Sequence, residues 1–448
     1  MKYGITLLAL LLWSVAGYAQ EPPKEAPWSL QDCIDYANQH NISVQQQEVK
    51  VSQSQIELNT AQNSRLPDLN ASLGANMSFG RSLISNNTYA DNNQLSGNLG
   101  VSASLPLFMG GRINHQIAAD KLGFQAAVKD LERMREDVAV NIMSLYLEVL
   151  FNKELVNVAQ SQLELSTMQV TRSREEVSAG KVAEATLYET EALMAQDELT
   201  LTQNKNNLSL ALLALSQALN RPSAEGFDVV YPILDSTQVE SPMMLRDPKE
   251  IVAYALDNRP HIQSERLRLD QAERSVRLAR SSFYPQISLS GGYGTNIYNS
   301  FATGAVNPPF GRQFRNNSSE YVGLTVSIPI FNRLATRNSV RSARLNVKNQ
   351  LLTLTQAEQS LQKEVETAYY TAEAARQKYR SAQKALSSAR IAFQYETEKF
   401  AAGRSTTFDY SDAKNRMVKA ESDLLQAKYE LIFRTKILDY YAGYPLSL

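Results

Sequence analysis

The strongest constraint on the fold is a two-residue alternation in LSGNLGVSASLPLF, residues 95–108. Apolar residues or glycine occupy every odd position from Leu95 to Leu107, and the even positions up to Ser104 are polar or glycine. Because successive side chains of a strand point to opposite faces, this pattern predicts a strand with one apolar and one polar face. A soluble sandwich could turn the apolar face to a core, whereas a membrane barrel would turn it to lipid.

The N-terminus predicts export of the protein. One lysine, an apolar run from Ile5 to about Val15, and the small residues Gly17 and Ala19 indicate a signal peptide over residues 1–19. No later segment offers the roughly 18 consecutive apolar residues that a membrane-spanning helix needs. A mature protein that crosses a membrane would therefore cross it with strands.

Composition and motifs argue against nucleic-acid binding and catalysis. The 45 basic and 46 acidic residues give a net charge of −1, and no dense basic block occurs, so we expect no nucleic-acid partner. The three histidines, His40, His115 and His261, lack metal-ligand spacing. Neither a phosphate loop nor a nucleophile elbow is present. We therefore expect no enzymatic activity, no metal site and no cofactor.

An internal duplication organises the chain. Three stretches of the first half return in the second: LPDLNASLG from Leu66 as YPQISLSGG from Tyr284, LPLFMGGR (105–112) as IPIFNRLATR (328–337), and VSAGKVAEATLYE (177–189) as FAAGRSTTFDYSD (400–412). The last two pairs share an offset of 223 residues. The sequence therefore predicts a first structural repeat over 20–220, a linker over 221–248 and a second repeat over 249–448.

Each repeat contains a predicted β-hairpin, over about 67–108 and about 285–331. Apolar positions alternate with polar ones from Asp68 to Phe79 and from Val322 to Ile330. The strands run about ten to fourteen residues, the length that a tilted membrane strand requires. Two hairpins separated by long helices would make an unusual soluble sandwich, which favours the membrane interpretation.

Four strands per chain cannot close a barrel. The smallest barrels filled by side chains have about eight strands, and an open edge in lipid leaves unpaired backbone groups that cost several kcal/mol each. Subunits must therefore share one barrel. A dimer would supply eight strands and a trimer twelve; the sequence alone leaves both open, although a conduit favours more strands.

The rest of the chain predicts long coiled-coil helices. Apolar residues recur every seven positions at Ile117, Phe124, Leu131, Val138 and Leu145. A second seam includes Ile142 and Val149, both seams return 223 residues later, and the spacing resumes after Gly403 at Met417, Leu424, Leu431 and Leu438. Such heptads specify left-handed supercoiled helices, and a helix from about Arg112 to Val177 would be about 100 Å long. Gly180 and Gly403 interrupt these stretches with almost no connecting sequence, which predicts tight antiparallel helical hairpins.

The chain resembles the TolC-like outer membrane efflux protein family. The resemblance rests on the order and spacing of three features: the duplication, the PLFMGGR junction at 106–112, and the glycine hairpins SAGKVAEATLYETEA and AAGRSTTFDYSDAKNR. The resemblance implies a mixed α and β membrane protein. Three chains would form a homotrimer with a shared twelve-strand transmembrane β-barrel in the outer membrane of a Gram-negative bacterium. Antiparallel coiled-coil helices would form an α-barrel across the periplasm.

The resemblance also implies a function and partners. The family provides the passive outer membrane channel of tripartite efflux or type I secretion systems, which docks a periplasmic adaptor (membrane fusion protein) joined to an inner-membrane pump or ABC transporter. The adaptor-docking positions would be the hairpin tips at Gly180, Lys181 and Gly403.

Candidate entrance residues follow from the same resemblance. Asp409 and Asp412 lie six and nine places after Gly403, where family members carry entrance aspartates. Arg404 resembles an arginine that links neighbouring helices there, but it stands one place after the glycine instead of two. Glu184 and Glu189 are candidates for the same acidic rim in the first repeat. A ring of carboxylates would favour cations.

Two other classes of function fit parts of the pattern. A periplasm-spanning coiled coil anchored by strands would be a structural or binding protein without a conducting lumen, and single-channel conductance separates it from a channel. A soluble secreted helical lectin or adhesin would not float with outer membranes.

Overall fold

The computed structural model describes residues 26–83, 87–231, 247–301 and 305–447, with Ser82 described by its backbone alone. The predicted signal peptide, 1–19, lies outside these residues, as does 232–246 of the predicted linker. The helices are α1 Leu30–His40, α2 Ile42–Asn63, α3 Arg112–Ser178, α4 Glu184–Ala218, α5 Pro248–Asn258, α6 Pro260–Ser281, α7 Phe310–Asn316, α8 Ala335–Ala401 and α9 Thr407–Tyr441. The strands are β1 Asp68–Ser78, β2 Arg81–Leu83, β3 Tyr89–Asp91, β4 Gln94–Met109, β5 Gln286–Ser300 and β6 Ser318–Ser327.

The described residues fall into two compact units, and each unit draws on both halves of the sequence. The first comprises the described parts of Met1–Gln46, Arg133–Asn258 and Leu361–Leu448, and the second those of Gln47–Glu132 and Arg259–Ser360. The repeat boundaries at 20–220, 221–248 and 249–448 divide the sequence instead, and they stay a prediction.

The second unit contains a four-stranded antiparallel sheet in the order β1-β4-β5-β6. Its register aligns the predicted alternation across all four strands: Leu73 lies opposite Leu99, and Leu289 lies opposite both Leu105 and Leu324. Directly opposed residues share a face. The sheet therefore has an apolar face, carrying these leucines, and a polar face, rich in Ser, Asn and Gly, as the sequence predicts.

Two strand ends differ from the prediction, and both lie at prolines. A register shift between Pro106 and Phe108 places Phe108 opposite Ile287, so the alternation predicted through Leu107 ends at Leu105. Strand β6 ends at Ser327, short of the predicted Ile330. Proline has no N–H to donate to a ladder, so Pro106 fits a bulge and Pro329 favours termination.

The long helices repeat with matching lengths. Both α3 and α8 have 67 residues, and both α4 and α9 have 35, with every boundary displaced by 223. Predicted heptad positions are buried in each copy: Ile142 and Val149 in α3, and Val365 and Ala372 in α8, are at most 1% exposed. The predicted long helices are confirmed, and their left-handed supercoiling stays a prediction. Within the described residues, no helix has the length and apolar character needed to cross a membrane.

Candidate functional site

The two helical hairpins turn in the same way, at what we call the first hairpin turn (179–183) and the second hairpin turn (402–406). The amide of Gly180 donates to Val177 O at 2.9 Å, and that of Lys181 donates to Glu176 O at 2.9 Å. These two bonds form a Schellman motif, and Gly403 and Arg404 repeat it with Phe400 and Lys399 at 3.0 and 2.9 Å.

Both turn glycines have left-handed backbone, with φ of +68° at Gly180 and +69° at Gly403. A Cβ added at either position would meet no atom within 4 Å. Glycine is therefore needed here for its backbone conformation rather than for lack of space. Both turns are exposed, as expected of a docking surface, although docking itself stays a prediction.

The helices that follow the two turns, α4 and α9, start differently. Thr406 caps α9: its Oγ1 accepts from the Asp409 amide at 3.1 Å and donates to Asp409 Oδ2 at 2.7 Å. Helix α4 follows Ala183, which makes no side-chain cap bond. At the offset of 223, Asp409 corresponds to Thr186 and Asp412 to Glu189, while Glu184 corresponds to Thr407. The two acidic sets are therefore only partly equivalent.

The structure places the predicted charged residues in different surroundings. Asp412 pairs with Arg416 of the next helical turn at 2.5 Å. The side chains of Lys181, Glu184, Glu189 and Arg404 are exposed and form no hydrogen bond or ion pair within the described part of the chain. Asp409 and Asp412 share the start of α9, and no predicted residue of the first hairpin contacts them by hydrogen bond or ion pair among the residues described. The Arg404 side chain therefore links no helices within the residues that the structure describes, and its role as a link between neighbouring helices stays a prediction.

A direct contact between the two hairpins occurs close to the turns. Nη2 of Arg172 in α3 donates a hydrogen bond at 3.2 Å to the carbonyl of Ala401, the last residue of α8. Within the first hairpin, Arg174 pairs with Glu191 at 2.9 Å, and within the second, Arg390 pairs with Glu421 at 2.7 Å. These cross-helix contacts confirm that each hairpin is antiparallel.

A buried polar cluster that the heptad pattern did not predict joins the two helical hairpins farther from the turns. Lys414 Nζ of α9 donates to Asp197 Oδ2 of α4 at 2.5 Å and to Ser166 Oγ of α3 at 2.6 Å, and Ser166 also donates to Asp197. The Lys414 side chain is only 7% exposed. A signal was available, because Lys414 lies three residues before the seam position Met417, where a coiled coil favours apolar residues.

Aromatic packing supports the second hairpin turn. Tyr410 stacks on Phe400 with ring centroids 5.0 Å apart, and Phe393 lies 5.4 Å from the same ring. Burial, and then the charge of Asp197, raise the pKa of the Tyr410 phenol above its ordinary value. Ser405 donates to Glu396, and this hydrogen bond is the main cause that lowers the pKa of the Glu396 carboxyl.

The arrangement offers no resident metal site within the described ranges, since no group of three or more His, Cys, Asp or Glu side chains there could hold an ion. The site consists of two helical hairpins that turn at exposed glycines and carry charged side chains without partners among the described residues. A buried ion pair between Lys414 and Asp197 links the two hairpins. Such an arrangement can bind a partner or line an aqueous opening.

Comparisons with known proteins agree with the resemblance seen in the sequence. The chain is 21% identical over 341 residues to Toxin and drug export protein A of Aggregatibacter actinomycetemcomitans, covering 75% of this chain and 70% of the relative. The solved structure of CusC superposes with a TM-score of 0.75 at 18% identity, covering 93% and 92% of the two chains. The crystal structure of VceC of Vibrio cholerae gives a TM-score of 0.73 at 17% identity, covering 92% and 96%.

These likenesses establish the fold, and a family model decides the family. The model described as Outer membrane efflux protein matches residues 33–221 and 251–438, once in each half of the duplication. Because the match covers well over half of the chain, this chain belongs to the outer membrane efflux protein family.

Proposed function

We propose that this protein is the outer membrane channel of a tripartite efflux or type I secretion system. Three copies would close one twelve-strand barrel in the outer membrane, and their helical hairpins would form a water-filled duct in the periplasm. The chain would act as a passive conduit, with energy supplied by an inner-membrane pump or ABC transporter through a periplasmic adaptor. The observation that carries this proposal is a two-faced sheet whose outer strands have open edges.

The open edges are those of β1 and β6. In the part of the chain that the structure describes, neither strand has a second partner strand. Their apolar side chains are also uncovered: Leu73 is 79% exposed and Val322 83%. An apolar face of this extent needs a non-aqueous neighbour, and in lipid every edge must be paired. A second copy can satisfy both edges.

The polar face supports three copies rather than two. Along the middle of the sheet many paired residues on this face are small, such as Ser72 opposite Gly100 and Gly100 opposite Gly294, whereas Tyr298 and Tyr321 lie on the same face. Eight strands would leave an interior that side chains fill, whereas twelve would leave room for a lumen lined by these small polar residues. A conduit for solutes needs that room.

The hairpin turns support docking to an adaptor. Gly180, Lys181 and Gly403 lie on exposed turns, and Phe408 beside the second turn is 77% exposed. Asp409 lies in the first turn of α9 and Glu184 begins α4, while Asp412 and Glu189 lie in the second turns of the same helices. These carboxylates would favour cations at the entrance.

Disulfide trapping across the open edges tests the assembly. In a Cys33→Ser background, cysteines at Asn70 of β1 and at Ser319 of β6, with a scan of alternate positions along both strands, should yield covalent trimers on oxidation in membranes. Within one chain β1 and β6 are separated by two strands, about 14 Å, which is beyond the roughly 7 Å that a disulfide allows. Any bond is therefore intermolecular.

The matched control is Ser104→Cys with Ser290→Cys, which are directly opposed in β4 and β5 and should bridge within one chain. Covalent products that stop at the dimer, or no product in the whole scan, would contradict the trimer. Reconstitution in planar bilayers tests the duct itself: we expect stable single-channel conductance, and a trimer without conductance would instead support the anchored coiled coil.

A further inference from the structure

The short helix α7 is fastened to the loop end of the sheet. Its Gln313 is 4% exposed and pairs with the backbone of β5: it accepts from the Tyr298 amide at 2.9 Å and donates to the Tyr298 carbonyl at 2.8 Å. Pairing with β6 extends only to Thr295, opposite Ser318. The Gln313 amide thus replaces a strand residue where β6 has not yet begun, and it fixes α7 in place.

The helix lies against the apolar face of the sheet. Thr295 is opposite Leu99, so its side chain points to that face. It is 3% exposed and donates to the Phe314 carbonyl of α7 at 3.2 Å. Asn317 Nδ2, just after α7, donates to the Asn296 carbonyl at 2.7 Å. Contacts to the backbone of β5 and to its Thr295 side chain therefore hold the helix at the boundary of the apolar surface.

The outer surface of α7 combines exposed rings with unpaired cations. Phe310 and Phe314 are 63% and 39% exposed and stack with centroids 6.2 Å apart. Arg312 and Arg315 are exposed, and their guanidinium groups have no partner among the described residues. In the β-hairpin of the first repeat, by contrast, the Arg81 side chain has partners: Asp91 lies at 3.8 Å, and the Tyr89 carbonyl accepts a hydrogen bond at 2.9 Å.

This inference rests on the proposed function, which turns the apolar face of the sheet to lipid and its loop end to the outside. Helix α7 then lies at the level of the lipid headgroups in the outer leaflet. Aromatic rings concentrate at that level, and arginine binds phosphate in a bidentate manner. We propose that α7 binds the phosphate groups of an outer-leaflet lipid, with Arg312 and Arg315 as ligands and the two phenylalanines packed beside its chains.

The experiment compares lipids that differ only in phosphate. The full-length trimer in mixed detergent micelles is titrated with diphosphorylated lipid A or with its dephosphorylated form, and bound lipid is measured by native mass spectrometry. We expect tighter binding of the phosphorylated form by about 30-fold, roughly fivefold per arginine. Arg312→Ala with Arg315→Ala should remove the difference, and Arg312→Lys with Arg315→Lys should retain part of it.

The matched control is Arg337→Ala with Arg341→Ala, an exposed pair in the first turns of α8, which should keep the wild-type preference. Equal binding of both lipids by the wild type, or equal loss in both alanine pairs, would overturn the proposal. So would full competition by inorganic phosphate, which would indicate a free-anion site. If the protein failed to form a membrane-inserted trimer at all, the proposed function would fail first, and that outcome is visible before any lipid is added.

Discussion

The Lys414 Nζ of α9 lies 2.5 Å from the Asp197 carboxylate of α4, so an ion pair joins the second helical hairpin to the first. Ser166 of α3 completes the cluster by contacting both groups. Three helices therefore meet at one polar contact among apolar neighbours. Because a buried charge needs its partner, this contact ties the second hairpin to the first.

Removing one member of this pair should be costly. We expect Lys414→Met to lower the free energy of unfolding by about 3–5 kcal/mol, because Asp197 would lose its partner. The double variant Lys414→Met with Asp197→Asn should recover much of this loss. Loss of helical circular dichroism in detergent, on heating or in denaturant, measures the effect.

Lys378 and Glu430 provide the control for that comparison, since their ion pair at 2.8 Å joins α8 and α9 with side chains 49% and 36% exposed. We expect Lys378→Ala to cost less than about 1 kcal/mol. Equal destabilisation by Lys378→Ala and Lys414→Met would show that burial does not set the strength of the cluster.

Valine at the hairpin turns should impair export without preventing barrel insertion. Gly180→Val or Gly403→Val places a β-branched residue at a left-handed backbone position, at a cost of about 1–2 kcal/mol confined to the turn. Export assays and the yield of trimers in outer membranes measure the two properties separately. Ala179→Val and Ala402→Val add the same bulk one residue earlier and should have little effect. Full export by both glycine variants would exclude docking at these turns.

Neutralising Asp409 and Asp412, the aspartates proposed for the entrance, should weaken cation selectivity. Asp409→Asn with Asp412→Asn removes two charges per chain but keeps an acceptor for the Thr406 hydroxyl, so α9 should stay capped. In planar-bilayer recordings, reversal potentials should move toward equal permeability for cations and anions, and alanine at both positions should act in the same direction. Asp423→Asn, an exposed position farther along α9, is the control. An unchanged reversal potential would rule the two aspartates out as the filter.

The two glycines of the strand-to-helix junction should respond differently to alanine. A Cβ at Gly110 would lie 2.5 Å from the Ser281 carbonyl oxygen, at a φ of +62°, whereas at Gly111 the nearest atom, on His115, is 3.6 Å away. We expect Gly110→Ala to cost about 2–5 kcal/mol and Gly111→Ala about 1–2 kcal/mol, measured by thermal unfolding. Similar values for the two variants would contradict the assigned clash.

The second repeat keeps this backbone geometry without glycine. Arg333 and Leu334, the counterparts of those glycines, have φ of 55° and 63°. Left-handed geometry is unfavourable for a leucine, so Leu334→Gly should be neutral or stabilising within about 1 kcal/mol in the same unfolding measurement, whereas Leu345→Gly within α8 should destabilise the protein. A clear loss of stability in Leu334→Gly would show that its side chain has a packing role that outweighs the backbone strain.

Acidification should loosen the second hairpin turn before the first. The folded-state pKa of Glu396 lies below its ordinary value of 4.5, mainly because of Ser405 and then Lys399. Its stabilising contribution is therefore present above pH 4.5 and is lost as the pH falls through the lowered value. The protection factors of the amides of residues 402–406, calculated against the intrinsic exchange rate at each pH, should fall with acid, and Ser405→Ala should flatten that dependence. Residues 179–183 serve as an internal control, because Val182 and Ser173 stand at the positions equivalent to Ser405 and Glu396, so no serine–carboxylate hydrogen bond is possible there.

Much of the fold and part of the candidate site could be predicted from local periodicity. Heptads placed α3 to within one residue of its end, and two-residue alternation predicted the two faces of the sheet, because each pattern reflects a repeat that the backbone itself imposes. Gly180 and Gly403 were recognised because left-handed turns favour glycine. The bulge at Pro106 was not, since alternation gives no information about where a ladder shifts register.

The sequence by itself determined the duplication, the extent of α3, the two faces of the four long strands and the family, because each of these follows from the spacing of residues along the chain. Only the tertiary structure decided that β4 pairs with β5 across the two repeats, that Lys414 meets Asp197, and that Gln313 fastens α7 to the sheet. Each of these joins residues distant in sequence, and their choice of partner depends on how whole helices and strands pack rather than on any local pattern.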